Sequence, residues 1–146
     1  MSNAVAMLVD AVDNDTQYSA ESSVRNVIAV YFSGAVSDGD LVEIDLTDTT
    51  YGMGASFTKS SATADNPKVI GVADEDIAAK SIGRVVTYGV KDDANVKNGG
   101  AAGAVLQSSA VAGRAEAGGV SAVSGGVGVI LTAPSGNKAT VFIYRR

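Results

Sequence analysis

The chain has 146 residues, a formal net charge of −5 and neither histidine nor cysteine. Without these two residue types it offers no cysteine nucleophile, no Cys/His zinc site and no catalytic triad with a histidine base. The acidic balance argues against nucleic acid as the main partner, because phosphate binding requires a basic surface. The length favours one domain, and the 17 glycines indicate many turns.

Residues 1–23 differ from the rest and are predicted to form an extended N-terminal arm, with the body spanning residues 24–146. A short apolar patch is followed by a polar stretch too poor in apolar residues to bury itself. The patch either orders on a partner, adds an edge strand to its own body, or remains a frayed terminus. Tyr18 is a second candidate anchor, since tyrosine is enriched at interfaces. The patch consists of Val5, Met7, Leu8 and Val9.

The sequence predicts neither a secretory leader nor a membrane-spanning helix. Residues 1–10 contain no Lys or Arg, and the apolar run 4–9 is too short for a leader. No window approaches the roughly 18 consecutive apolar residues that a membrane helix needs. We therefore expect synthesis in a cytoplasm and no membrane partner.

About eight short strands are predicted at the spacing typical of all-β sandwiches and barrels. Residues 24–32 carry apolar side chains on both faces, so this strand is predicted to be covered on both sides. Residues 41–46 alternate, which predicts a solvent face carrying Glu43, Asp45 and Thr47. Further strands are predicted at 68–72, 83–90, 104–107, 127–131 and 138–144. The predicted core side chains are Val42, Ile44, Leu46, Val72, Val86, Val129 and Ile143.

One short helix is predicted between the strands at 68–72 and 83–90. Asp74 is a favourable N-cap, acidic residues occupy the following turn, and Lys80 suits the negative end of the helix dipole. Residues 91–100 are predicted to form a polar turn. The connection 49–67 is predicted to be a long loop, and loops of this length are often functional. The expected fold is a compact β-barrel or β-sandwich, of jelly-roll or tulip type.

Candidate chemistry is confined to four close carboxylate pairs. Each pair lies beside a turn or cap, where aspartate is expected for backbone reasons. The chain has no Trp to line a sugar cleft. The calcium-like start at 13–15 lacks the glycine and the closing glutamate of such loops, and the glycines at 99–103 lack the Lys-Ser/Thr of a phosphate loop. We expect no enzymatic activity, metal or cofactor. The pairs are Asp13 and Asp15, Asp38 and Asp40, Asp74 and Asp76, and Asp92 and Asp93.

The order of these parts resembles the small head-decoration, or cement, proteins of tailed bacteriophages. The resemblance covers roughly residues 24–144 and depends on spacing and residue class. None of the shared segments is catalytic, so the resemblance assigns no catalytic residue. The segments that carry it are GDLVEID at 39–45, VIGVA at 69–73 with the predicted acidic-to-Ala helix, GRVVTYG at 83–89, the Gly-Ala-rich run 99–104, and a closing Gly-rich hairpin.

The resemblance implies a β body that sits as a homotrimer on the outside of a phage head. The protein would clamp adjacent subunits of the major capsid protein against the internal pressure of the DNA, and an N-terminal arm would reach a neighbour. Strands that are apolar on both faces independently suggest contacts with another subunit. The residues expected to make capsid or subunit contacts are Val5, Met7, Leu8, Val9, Tyr18, Tyr31, Phe142 and Tyr144.

Two other classes of function remain open from the sequence. One is a different structural virion module, such as part of a tail or fibre. The other is a cellular ligand-binding β domain with the loop 49–67 at its mouth. Co-sedimentation with DNA-filled capsids separates the decoration hypothesis from both.

Overall fold

The computed structural model describes residues 25–118 and 126–144. All regular secondary structure in these ranges is β, which confirms the all-β part of the predicted fold. The strands are β1 (Asn26–Phe32), β2 (Leu41–Ile44), β3 (Phe57–Lys59), β4 (Val69–Ala73), β5 (Ser81–Asn95), β6 (Val105–Ser108), β7 (Ala115–Ala117), β8 (Gly126–Ile130) and β9 (Lys138–Ile143).

Five strands close into a barrel, and β5 links the barrel to the remaining strands. The order β1-β3-β2-β4-β5 is closed by a second pairing between β1 and β5. β5 has 15 residues, which is long enough for its first part to pair with β1 and β4 while its last part pairs with β9. β9 then continues the order to β8, β6 and β7. A single long strand therefore fixes the barrel relative to the second group of strands.

The buried apolar residues form two clusters, and the predicted core is partly confirmed. Val42, Val72, Val86 and Ile143 are each 0% exposed. Ile44 and Val129 are only half-buried, and Leu46 is 46% exposed, so the core predictions for these three residues are wrong. The smaller cluster lies inside the barrel around Phe32 and Val85, whereas the larger one extends from β4 and β5 to β6, β8 and β9.

The errors at β2 arise because both faces of the strand are covered. The pairing of β2 with β3 keeps a regular register through Ile44, and the irregularity in its pairing with β4 places the extra residue, Ile70, in β4, so the alternation of β2 itself is unbroken. Leu41, two positions before Glu43 and on the same face, belongs to the larger buried cluster. Glu43, predicted to face solvent, is accordingly only 4% exposed, while Leu46 lies beyond the end of the strand and is 46% exposed.

The predicted helix at 74–80 is absent from the structure. Ile77 instead forms an antiparallel bridge with Val36, in which each N–H donates to the other residue's carbonyl at 2.9 and 3.0 Å. Lys80 has a positive φ of 61°, which ends any right-handed helix. A helix of two turns is marginal by itself, so the bridge and the burial of Ile77 determine the conformation.

Two further predictions on the body are corrected. The polar turn at 91–100 is wrong in its first half, because β5 continues to Asn95 and the Lys91 side chain is 8% exposed and 2.8 Å from the Asp38 carboxylate. The expectation that the first strand is covered on both faces is also wrong for the barrel, since Val27 on its outer face is 37% exposed. The arm predicted at 1–23 lies outside the described residues.

Candidate interaction surface

A compact loop over residues 45–56 forms the whole connection between β2 and β3. Its two ends are joined by the Asp45 N–H, which donates to the Ser56 carbonyl at 2.9 Å. The Gly54 N–H donates to the Asp45 carbonyl at 3.1 Å, which closes the loop a second time. The backbone of the 45–56 loop is therefore held by its own hydrogen bonds rather than by burial.

Asp48 organises the interior of the 45–56 loop. One carboxylate oxygen accepts hydrogen bonds from the N–H groups of Thr50 and Tyr51 at 2.8 and 3.2 Å. The other oxygen accepts a hydrogen bond from the Ser56 hydroxyl at 2.5 Å. This is the local pattern by which aspartate stabilises turns. It fixes the position from which the Tyr51 side chain leaves the backbone.

Met53 lies at the tip of the loop, in a tight turn. The Ala55 N–H donates to the Gly52 carbonyl at 3.1 Å, which closes a four-residue turn with Met53 as its second residue. Gly54 occupies the third position with φ of 81°, where a type II turn needs a positive φ and therefore favours glycine. The turn directs Met53 to solvent, where it is 75% exposed.

The exposed side chains of the loop join those of the neighbouring barrel strands. Tyr51 is 62% exposed and meets the Tyr31 ring edge-on, with ring centroids 4.9 Å apart. Tyr31 in β1 lies directly across from Ile82 in β5, which is 70% exposed. We call the set Tyr31, Tyr51, Met53 and Ile82 the apolar patch. Exposed apolar patches of this kind often mark interaction sites.

Two carboxylates at the base of the patch keep their negative charge. The Ser33 hydroxyl, followed by Thr47, lowers the pKa of Asp45 by hydrogen bonding to its ionised form. The Ser56 hydroxyl is the main cause of the lowered pKa of Asp48. Burial raises the pKa of Tyr31, with Tyr51 as the next cause. At neutral pH the patch is therefore flanked by two ionised carboxylates, and the Tyr31 hydroxyl within it is neutral.

The 45–56 loop is expected to keep its conformation down to about pH 4 and to loosen only in more acidic solution. The folded pKa values of Asp45 and Asp48 lie below the unfolded value, so their contribution is present above that value and is lost as the pH falls through the folded ones. Amide hydrogen exchange at Thr50 and Tyr51, measured from pH 7 to pH 3, tests this. Loss of protection near pH 6 would contradict it.

A second aromatic group lies farther along β5. Phe142 in β9 meets the Tyr88 ring edge-on, with ring centroids 5.3 Å apart, and both Phe142 and Tyr144 are half-buried. Phe142 pairs with Val90, eight positions along β5 from Ile82. Eight strand residues correspond to roughly 26 Å. The structure therefore places Tyr31 and Phe142, both predicted contact residues, in separate groups.

The remaining predicted contact residues and one carboxylate pair are not among the described residues. The apolar patch also contains two residues, Tyr51 and Met53, that were not predicted as contact residues, because they lie in a loop that is otherwise polar. The available signals were an aspartate two and three residues before Thr50 and Tyr51, and the two glycines on either side of Met53. The positions outside the described ranges are Val5, Met7, Leu8, Val9, Asp13, Asp15 and Tyr18.

The second half of the long connection is anchored in the body. Asn66 is 1% exposed, and its side-chain amide donates to the Glu43 carboxylate at 2.5 Å. Its backbone N–H donates to the Ser108 hydroxyl at 2.7 Å, and that hydroxyl donates to the Thr63 carbonyl at 2.8 Å. The prediction of one long loop over 49–67 is therefore wrong, because β3 at Phe57–Lys59 separates an exposed compact loop from a buried polar anchor.

The other acidic residues that were considered for chemistry form hydrogen bonds and ion pairs within the body. Asp40 accepts hydrogen bonds from the Ser37 N–H at 3.1 Å and the Asn95 side chain at 3.0 Å. Asp76 accepts a hydrogen bond from the Asp38 N–H at 2.8 Å. Within residues 25–118 and 126–144, no cluster of three or more acidic, histidine or cysteine side chains could bind a metal ion. These hydrogen bonds give Asp40 and Asp76 structural roles.

Two small cavities lie away from the patch. One of about 180 Å³ is lined by Arg25, Asp74, Val90, Lys91 and Asp92. The other, of about 190 Å³, is lined by residues 97–100, 116 and 117. Both are smaller than the roughly 300–1,000 Å³ typical of small-molecule sites. Neither includes a residue of the connection 49–67, which the ligand-binding hypothesis places at the mouth of the site.

Comparison with known proteins adds no assignment to this geometry. In the part of the chain that the structure describes, no helix is long and apolar enough to cross a membrane. No protein-family model matches the chain, and no curated protein matches it significantly.

Proposed function

We propose that the chain is a decoration protein of a tailed-phage head. It binds the outer surface of the shell as a homotrimer and clamps adjacent subunits of the major capsid protein, so that the internal pressure of the DNA does not separate them. The observation that carries the proposal is the apolar patch, displayed on a closed barrel. The protein acts mechanically on the virion surface, without catalysis or a cofactor.

A clamp must hold its contact residues in fixed positions under load, and the fold supports this role. The barrel is closed, and β5 runs continuously from the barrel into the second group of strands. Lys91 on that strand is almost buried and lies 2.8 Å from Asp38 and 3.8 Å from Asp74. These links restrict movement between the two halves of the body.

The sequence segments that resemble decoration proteins add independent support. GDLVEID at 39–45 enters β2, VIGVA at 69–73 is β4, and GRVVTYG at 83–89 lies in β5. All three belong to the closed barrel. The resemblance thus covers the scaffold that carries the patch, and its order of parts is the source of the proposed trimer.

Removing residues 1–23 should strongly reduce binding to capsids and change the melting temperature little. The polar stretch that follows Val9 is too poor in apolar residues to bury itself, whereas three arms on one trimer would bind with avidity because the second and third contacts are intramolecular. The measurements are thermal melting of the isolated protein and co-sedimentation with DNA-filled capsids produced without this chain. The intact chain is the reference, and light scattering checks whether it is the expected trimer.

Each outcome of this experiment has a distinct meaning. Failure of the intact chain to co-sediment with heads contradicts the proposed function, and binding to purified tails instead would favour a tail or fibre module. Unchanged retention after the deletion would leave the arm without a role in attachment. A large fall in melting temperature would make residues 1–23 part of the fold.

A further inference from the structure

We infer that the apolar patch is the surface that docks on the shell, and that Tyr51 and Met53 enter an apolar depression bordered by Lys or Arg on the outer face of the shell protein. This inference rests on the proposed function and assigns it a site and a partner chemistry. It uses only side chains of the 45–56 loop and of the adjoining strands β1 and β5.

The 45–56 loop is organised before any partner binds. Asp48 holds the N–H groups of Thr50 and Tyr51, and the Asp45 backbone is bonded to Ser56 and Gly54. Ordering a loop on binding costs free energy that reduces affinity. A loop that is already fixed avoids that cost, so its exposed apolar side chains are available for contact rather than required for folding.

The composition of the apolar patch is that of an interface core. Tyrosine and methionine are enriched in interface cores, where charged residues are depleted. Tyr51 and Met53 are 62% and 75% exposed, and Tyr31 and Ile82 extend the same apolar surface onto the barrel. By contrast, Val111 and Leu131, exposed apolar residues at 47% and 41%, lie outside this group. The patch therefore has the apolar centre expected of a binding site.

The charges around the apolar patch indicate the chemistry of its partner. The 45–56 loop contains Asp45 and Asp48 and no Lys or Arg. Lys80 and Arg84 each lie two positions from Ile82. Lys80 is exposed just before β5, and the Arg84 guanidinium lies 3.5 Å from the Glu75 carboxylate. The patch thus has an apolar centre with negative charge at its base, and interface potentials tend to be complementary. A basic border around an apolar depression is the partner surface that fits it.

The decisive variant is Tyr51→Ser combined with Met53→Ser. Both side chains are largely exposed, so the fold should survive, which circular dichroism and thermal melting verify. Co-sedimentation with DNA-filled capsids produced without this chain should show binding weakened by roughly 100-fold, as expected when interface hot spots are removed. The control is Val111→Ser, which removes an apolar side chain that is 47% exposed elsewhere on the body and should bind as the intact chain does.

Asp48→Asn tests the charge separately. The amide oxygen can still accept the Thr50 and Tyr51 N–H groups, and the amide nitrogen can donate to the Ser56 hydroxyl, so the loop is retained while one negative charge is removed. We expect binding about threefold weaker and less sensitive to salt, because screening acts on charged contacts. Asp92→Asn, which removes an exposed charge elsewhere, should leave both the affinity and its salt dependence unchanged.

The outcomes separate this inference from the function it rests on. If the intact chain does not bind heads, both are overturned. If the intact chain binds and the folded double variant binds equally well, the proposed function stands and the docking site is wrong. If Asp48→Asn and Asp92→Asn have the same salt dependence, the basic border is wrong.

Discussion

Replacing Glu43 with alanine should lower the free energy of unfolding by about 3 kcal/mol, the size expected when one partner of a buried ionic and hydrogen-bonded group is removed. Glu43 is 4% exposed. Its carboxylate accepts hydrogen bonds from the Ser61 N–H and hydroxyl, each at 3.2 Å, and lies 3.5 Å from Lys68 Nζ. The buried Asn66 amide donates to it at 2.5 Å and would lose this acceptor.

Urea denaturation of the variant and of the intact chain measures this effect. Glu116→Ala is a suitable control, since Glu116 is half-buried and forms a looser pair with Lys97 at 3.7 Å. That variant should cost under about 1 kcal/mol, as partly exposed ion pairs generally do. If the two variants are equally stable, Glu43 faces solvent as the alternating pattern predicts, and the anchor of the second half of the loop is wrong.

Glu43 shows why the alternating pattern of residues 41–46 predicts only part of the structure. The alternation correctly predicted a strand and the burial of Val42, because both depend on local periodicity. The burial of Glu43 depends instead on the connection that follows β3, because its partners Ser61, Asn66 and Lys68 lie 18 to 25 positions later in the chain. A local pattern contains no information on such partners, so the buried carboxylate was missed.

The difference between local patterns and contacts that are distant in the sequence also explains why the predicted helix is absent and why part of the candidate site was not predicted. The N-cap and charge signals around Asp74 are real, but the bridge between Ile77 and Val36 spans 41 positions and dominates. Tyr31 and Phe142 were predicted as contact residues because aromatic side chains on the second face of a strand are visible in the sequence. Met53 was missed because the exposure of a loop residue follows from the turn that carries it.

Replacing Gly128 with alanine should destabilise the body by about 3 kcal/mol, at the upper end of the range for overpacked sites. An added Cβ would lie 2.1 Å from the Phe142 carbonyl oxygen and 3.0 Å from its carbonyl carbon. Both atoms belong to the backbone of β9, which pairs with β8 at Gly128 and Ile143. No side chain can move aside to relieve the contact, so β8 and β9 must separate.

The sign of the stability change in Gly128→Ala shows which of two effects is larger, the clash with the backbone of β9 or the reduced freedom of the unfolded chain. Gly128 does not have a positive φ, so alanine without a clash would restrict the unfolded chain and stabilise the protein by about 0.4–1 kcal/mol. Thermal melting should instead show a fall of about 10 °C. Val129→Ala, at the half-buried neighbouring position, should cost only about 1 kcal/mol. A melting temperature at or above that of the intact chain for Gly128→Ala would mean that β8 and β9 lie farther apart, and Phe142 would then lose the backbone that positions it against Tyr88.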